Sequence, residues 1–285
     1  MFFKKYKILK IGKIILEKII IKLFGKNNIY TLIQKYYWRT KDFSISNFYN
    51  TKIDNLKIYF SLLKIFKKNY FNFQFYSQQN EDKYLLKLFK IEDVQNGTYL
   101  EVGAYDGLLF SNTLFLQNEF NFSGILIEAQ TSLFNSLKKN RPKDFLVNSA
   151  VTNSNKLSID FIGNNLEAGV FDELLANLKK FPDWSKYKVP NKKMSEIIKD
   201  SNFDYIDVMF IDTEGSELEV VESIDFNIPI SVIVIEAHQY NKLRDKKLKL
   251  ILIKQGYKLL YQIRGNYWFY NETKKRKNGI KLRIN

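Results

Sequence analysis

The chain has 285 residues, with 45 Lys and Arg against 30 Asp and Glu and a formal net charge of +15. This length fits one main domain near the upper end of single-core sizes, with an appendage. A content of 45% hydrophobic and 26% charged residues is ordinary for a globular chain and excludes a collagenous or wholly disordered protein. With no Cys and a single His, His238, disulfide frameworks, thiolate metal sites and His-rich zinc motifs are also excluded.

No apolar run reaches transmembrane length, and eight charges are spread through the first 25 residues, unlike a signal peptide. The expected location is therefore cytoplasmic, with peripheral membrane association left open. The charge is uneven: residues 1–75 carry a net +13, residues 274–285 a net +6, and residues 76–273 a net −4. Three parts follow: a basic, mostly helical extension (1–75), a mildly acidic main domain (76–273) and a basic tail (274–285). Lys outnumbers Arg 39 to 6, and Ile, Asn, Phe and Tyr, which like Lys have AT-rich codons, are abundant, so the Lys count alone does not argue for a polyanionic partner.

In chain order, residues 8–24 read as an amphipathic helix, with Ile8, Leu9, Ile15, Leu16, Ile19, Ile20 and Leu23 on one face and lysines opposite. A second helical pattern runs through Ile53, Leu56, Phe60 and Leu63. Ser77 can cap a helix through Leu85, Leu86 and Phe89. Apolar runs follow at Thr98–Val102, Gly124–Ala129, Phe145–Val151, Tyr205–Ile211 and Ser231–Ala237, alternating with helical patterns at 110–120, 131–140, 215–223 and 241–255. This alternation predicts a parallel sheet with helices on both faces. Tyr257–Ile263 and Tyr267–Tyr270, joined through Arg264-Gly265-Asn266, predict a closing β-hairpin and hence an antiparallel strand. Residues 163–195 interrupt the rhythm as an insertion that can cover the sheet.

The most informative stretch is Tyr99-Leu-Glu-Val-Gly-Ala-Tyr-Asp-Gly107. A strand ends in Glu101, and Gly103 and Gly107 let the following loop approach a ligand at the carboxyl edge of the sheet. The loop lacks dinucleotide glycine spacing, and its carboxylate would repel a diphosphate. A cationic ligand such as S-adenosylmethionine (SAM), with an ammonium and a sulfonium, suits it better. The second strand ends in Glu128, placed to bind a ribose diol. Asp212, Glu214 and Glu217 cluster where the fourth strand meets a helix; capping explains some of them, and Ser216-x-x-Glu219 reads as a capping box. Asp212 is the functional choice and Glu219 the structural one. His238 follows the fifth strand, at the same edge, as a candidate base.

Taken together, Tyr76-Ser-Gln-x-x-Glu-Asp82, Leu100-Glu-Val-Gly-Ala-x-Asp-Gly107, Ser111-Asn-Thr113, Gly124-Ile-Leu-Ile-Glu-Ala129, Asn148-Ser-Ala-Val151, Ile211-Asp-Thr-Glu-Gly-Ser-Glu217 and Val232-Ile-Val-Ile-Glu236 resemble the FkbM-type methyltransferases. These are class I SAM-dependent enzymes, and the likeness covers about residues 76–270. It implies a Rossmann-like, seven-stranded, mostly parallel sheet with the last strand antiparallel. It also implies methyl transfer to a hydroxyl, typically of a sugar or small natural product. By that resemblance Glu101, Gly103, Ala104 and Gly107 line the methionine side of SAM, Glu128 holds the ribose, and Ser149 and Ala150 lie near the adenine. Asp212 and Glu214 face the reacting end, and Gln78 matches a family Gln of unassigned role.

For proton removal the candidates are Asp212, Glu214 and His238. No metal ligand set is assigned; Mg²⁺ is a lesser alternative should Asp212 and Glu236 both point at the site. Three readings of the basic extension compete: a solvated helix packed on the main domain, a membrane-surface helix at 8–24, and RNA binding through Tyr36, Tyr37, Trp38 and Arg39. The net −4 of the main domain counts against nucleic acid. An RNA methyltransferase and a non-catalytic SAM-binding module stand as alternatives.

Overall fold

The computed structural model describes residues 73–163, 168–170, 186–236 and 242–283. The chain divides into two units, 1–78 and 79–285, and every helix and strand named below belongs to the second. The helices expected at 8–24 and through 53–63, the Tyr36–Arg39 aromatics and His238 lie outside the described residues.

The second unit begins with α1 (Glu81–Leu88), β1 (Thr98–Val102), α2 (Leu114–Phe120), β2 (Ser123–Glu128), α3 (Thr131–Asn140) and β3 (Phe145–Asn148). Four short strands follow, β4 (Ala150–Val151), β5 (Ser158–Ile162), β6 (Gly169–Val170) and β7 (Lys186–Lys192). The chain then returns through α4 (Met194–Ser201), β8 (Ile206–Ile211), α5 (Glu217–Glu222), β9 (Ile230–Glu236), α6 (Lys242–Lys254), β10 (Lys258–Ile263) and β11 (Asn266–Tyr270). The main sheet has the order β10-β11-β9-β8-β1-β2-β3. Its first five strands in the chain are mutually parallel, and β11 is inserted antiparallel between β9 and β10. This is the mostly parallel, Rossmann-like seven-stranded sheet expected from the sequence.

Every residue of β1 and β8 is buried, as a parallel sheet covered on both faces requires. One face packs Leu100, Val102, Ile125, Ile127, Met209, Ile211, Ile233 and Ile235 against Ile197 and Ile198 of α4, Val220 and Val221 of α5, and Leu248 and Leu252 of α6. Alternate strand residues point the other way. Tyr99 meets Arg141 at the end of α3, Trp268 meets Tyr84 of α1, and Tyr270 meets Phe89. The hairpin closes through Arg264 and Gly265, both at positive φ, which is the two-residue turn that matches strand twist.

Three expectations are corrected. Helix α1 starts at Glu81 rather than near Ser77; its N-cap is Asn80, in left-handed conformation at φ 68°. The single run Phe145–Val151 is two strands. It breaks at Ser149, and β4 leaves for a separate sheet of order β4-β7-β5-β6, to which the expected insertion contributes β6 and β7. Ser216 does precede α5, but its side chain makes no capping bond and Glu219 pairs with Arg244 instead. Among the described residues, no helix is long and apolar enough to cross a membrane.

The basic tail is built into this unit. Ile280 is fully buried, Leu282 forms a bridge to Phe89, and Arg283 donates to both carboxylate oxygens of Glu92.

Candidate active site at the carboxyl edge of the sheet

Because β1, β2, β3, β8 and β9 run parallel, their last residues share one edge: Val102, Glu128, Asn148, Ile211 and Glu236. The loops after β1 and β8 touch there. Gly103 sits at φ +84°, and a Cβ on it would lie 1.9 Å from the Asp212 carbonyl oxygen, so only glycine fits. Gly103 N and Ala104 N both donate to Ile127 O at 3.0 Å, and Asp212 N donates to Val102 O at 3.2 Å. These bonds fix the loop across three strands. Gly103 is solvent-exposed, whereas Ala104 and Gly107 are buried, Gly107 against Leu137 and Arg141.

Glu101 is almost fully buried, and both its oxygens serve the loop. Asn112 N donates to Oε1 at 2.8 Å, while Thr113 Oγ1 and Ser111 Oγ donate to Oε2 at 2.6 and 3.1 Å. Burial pushes its pKa up, and these bonds oppose that rise. The side chain therefore organises residues 111–113 from beneath. Arg141, which the sequence reading missed, completes this support. It is buried, pairs with Asp144 at 2.9 Å, and donates to Gly107 O at 3.0 Å, Tyr99 Oη at 2.7 Å, Ser111 Oγ at 3.2 Å and Thr113 Oγ1 at 3.3 Å.

Glu128 is also buried. Its Oε2 accepts from Tyr105 N at 2.9 Å and its Oε1 from Gln130 N at 2.7 Å, while burial raises its pKa from 4.5 to about 7. Ser149 is buried, with its hydroxyl turned to Ala150 O at 2.6 Å.

The acidic residues after β8 divide into two roles. Glu217 is buried, and its Oε1 accepts from Thr213 N, Thr213 Oγ1 and Gly215 N at 2.9–3.1 Å, shaping the turn in which Glu214 takes φ 55°. Asp212 and Glu214 instead gather with Glu236 from the end of β9: each offers a carboxylate oxygen, all within 4.8 Å of one another. The Glu236 pKa lies well above the usual carboxylate range, first through burial and then through the charges of Asp212, Glu214 and Glu217. Such a group holds a proton among several carboxylates or binds a cation. Two of the three expected catalytic residues, Asp212 and Glu214, are thus brought together. Glu236, which the sequence reading tied only to the Mg²⁺ alternative, joins them, and its position at the last residue of a buried strand was the available signal.

Residues 101–259, more than half of the chain, match the family model described as the methyltransferase FkbM domain. No curated protein matches the chain. Among solved structures, it is similar to a human methyltransferase 10 domain containing protein at 14% identity and TM-score 0.39, covering 67% of this chain and 81% of that one. It is similar to a methyltransferase from Pyrococcus furiosus at 13% identity and TM-score 0.36, covering 81% and 98%. A precorrin-6y C5,15-methyltransferase from Geobacter metallireducens GS-15 gives 13% identity and TM-score 0.34, covering 70% and 92%. By its domain match, this chain belongs to the FkbM methyltransferase family.

Proposed function

We propose that the chain is a SAM-dependent O-methyltransferase whose acceptor is a hydroxyl of a sugar, a glycan or a small natural product. The observation that carries this reading is the convergence of the Asp212, Glu214 and Glu236 carboxylates within 4.8 Å, at the sheet edge where Gly103 approaches Asp212. The donor set suits the group that the family implies. Strand-end carboxylates favour an ammonium and a sulfonium, and an exposed glycine lets a ligand reach the backbone. In this reading Gly103, Ala104 and Gly107 form the methionine side of the site, with Glu101 holding their loop in shape. Glu128 accepts from the ribose hydroxyls, and Ser149 and Ala150 border the adenine.

When bound, SAM supplies a methyl group already activated for displacement by its sulfonium. The residues of the chain align the acceptor oxygen and exclude water, a contribution of up to roughly 7–11 kcal/mol in favourable cases. The hydroxyl proton leaves to a carboxylate oxygen of Asp212 or Glu214. His238 stands as a further candidate base.

The spacing of the three carboxylates favours a second reading of the same cluster, in which Asp212, Glu214 and Glu236 hold Mg²⁺; hard cations prefer oxygen ligands.

Calorimetry with SAM and S-adenosylhomocysteine, followed by product assays on sugar, glycan and RNA acceptors with and without EDTA, tests the proposal. SAM binding and transfer to a hydroxyl are expected, with Asp212→Asn losing about 100-fold or more in turnover, well beyond its loss of SAM affinity. Binding of neither ligand overturns the reading. Binding without transfer to any acceptor points to a non-catalytic module, transfer to RNA moves the acceptor class, and loss of activity in EDTA restored by Mg²⁺ selects the metal form.

A further inference from the structure

The small sheet grows out of the strand end that bears the ribose candidate. Asn148 Nδ2 donates to the carbonyls of Glu128 and Ala129 at 2.8 and 3.0 Å, and Ser149 N donates to Glu128 O at 3.2 Å. These bonds turn the chain at Ser149 and start β4 beside Glu128. β4 then pairs with β7, Ala150 opposite Asn191, and β7 pairs with β5, Tyr187 opposite Phe161. The apolar side of this sheet is Ala150, Ile159, Phe161, Ala168 and Val189, and both Ala129 and Tyr187 pack against it.

Tyr187, on β7, thus shares an apolar cluster with Ala129, the residue that follows Glu128. Its ring lies 5.8 Å from that of Phe161, tilted by 58°. It also lies within electrostatic reach of Glu128: burial first, and the Glu128 charge second, push its phenol to about 12, so the hydroxyl stays protonated and able to donate. A half-buried aromatic ring that shares a cluster with Ala129 and Ala150, at the end of the sheet assigned above to ribose and adenine, offers a surface on which a purine nucleoside packs. Stacking on aromatic side chains is favourable for every base.

We propose that Tyr187 closes the nucleoside end of the cofactor site, its ring forming a wall for the adenosine and its hydroxyl a hydrogen-bond donor there. The inference rests on the SAM reading above and gives the inserted sheet a part in binding. If Tyr187 serves only to pack on Phe161, its replacement lowers stability and leaves affinity alone.

Calorimetry on the full-length chain with SAM and S-adenosylhomocysteine separates the two. Tyr187→Ala is expected to weaken both ligands at least about tenfold. Tyr187→Phe keeps the ring and is expected to bind within a few-fold of the wild type. Tyr187→Leu retains an apolar contact with Phe161, so folding is preserved while the ring is lost; melting curves check each variant, and its affinity should fall with that of Tyr187→Ala. Wild-type binding with unchanged affinity in a folded Tyr187→Leu variant overturns this inference alone. Absence of binding by the wild type overturns the SAM reading, and this one with it.

Discussion

Replacing Gly103 by Ala tests how tightly the loop after β1 and the acidic loop after β8 are locked together. The new Cβ would lie 1.9 Å from the carbonyl oxygen of Asp212 and 3.1 Å from its carbonyl carbon. Both obstacles are backbone, so no side-chain rotation relieves them. The φ of +84° adds a left-handed penalty of roughly 1–2 kcal/mol. Relief requires the two loops to separate, which breaks the bond from Asp212 N to Val102 O, worth about 0.5–1.5 kcal/mol. With the strain of the displaced carbonyl, the total is about 3–5 kcal/mol, in the range of severe single substitutions. For a unit of this size such a loss lowers Tm by roughly 10 °C. Gly265→Ala is the matched control: it has φ +90° with nothing within 4 Å of its Cβ, so it reports the backbone penalty alone. Urea unfolding of both variants gives the difference, and SAM titration shows whether the displaced loop still binds. If Gly103→Ala is no less stable than Gly265→Ala, the collision has been overstated and the two loops are not locked.

Glu128 gives a pH signature. Folding raises its pKa from 4.5 to about 7, so its contribution to stability is present below 4.5 and is lost as pH rises through 7. On the proposed ribose role of Glu128, SAM affinity should run the opposite way, because ribose hydroxyls would donate to the ionised form: calorimetry across pH 7 should show binding strengthen with pH, and Glu128→Gln should flatten the curve and bind about tenfold more weakly. At the other end of the unit, Arg276 donates to the buried Asp207 carboxylate at 3.0 Å, and that same oxygen accepts from Thr98 N at 3.0 Å. Arg276→Gln should cost about 1–3 kcal/mol in urea unfolding, allowing for the partial exposure of the Arg, whereas Lys277→Gln, at an exposed position, should change stability by under about 0.5 kcal/mol.

The sheet was legible because its central strands are buried on both faces and read as continuous apolar runs bounded by turn residues. Thr98–Val102 coincides with β1, and the runs at 124–129, 205–211 and 231–237 shift by a residue or so at their ends. The hairpin was legible from Arg264-Gly265. What failed depends on distant contacts. The break at Ser149 leaves no local mark, since Ala150 and Val151 continue the apolar run; it is made by bonds to Glu128 and Ala129, some 20 residues earlier. β7 alternates lysines with partly and fully buried residues, and its partners β4 and β5 are found only in the fold. Arg141 carries no motif, and its partners Tyr99 and Gly107 are 42 and 34 residues away.

The same limit explains why the acidic residues could be located but not sorted. Glu101, Asp212, Glu214 and Glu217 all follow or end apolar strands, and nothing in their spacing separates scaffold from chemistry. The fold distinguishes them by what they meet. Glu101 and Glu217 each accept three hydrogen bonds from their own loops, and these bonds fix the turns. Asp212 and Glu214 meet a third carboxylate, Glu236, and like charges brought together in this way must share protons or recruit a cation. Ordering two loops for a site rich in negative charge takes two buried carboxylates and one buried arginine, and the cluster they present is what a positively charged methyl donor would meet.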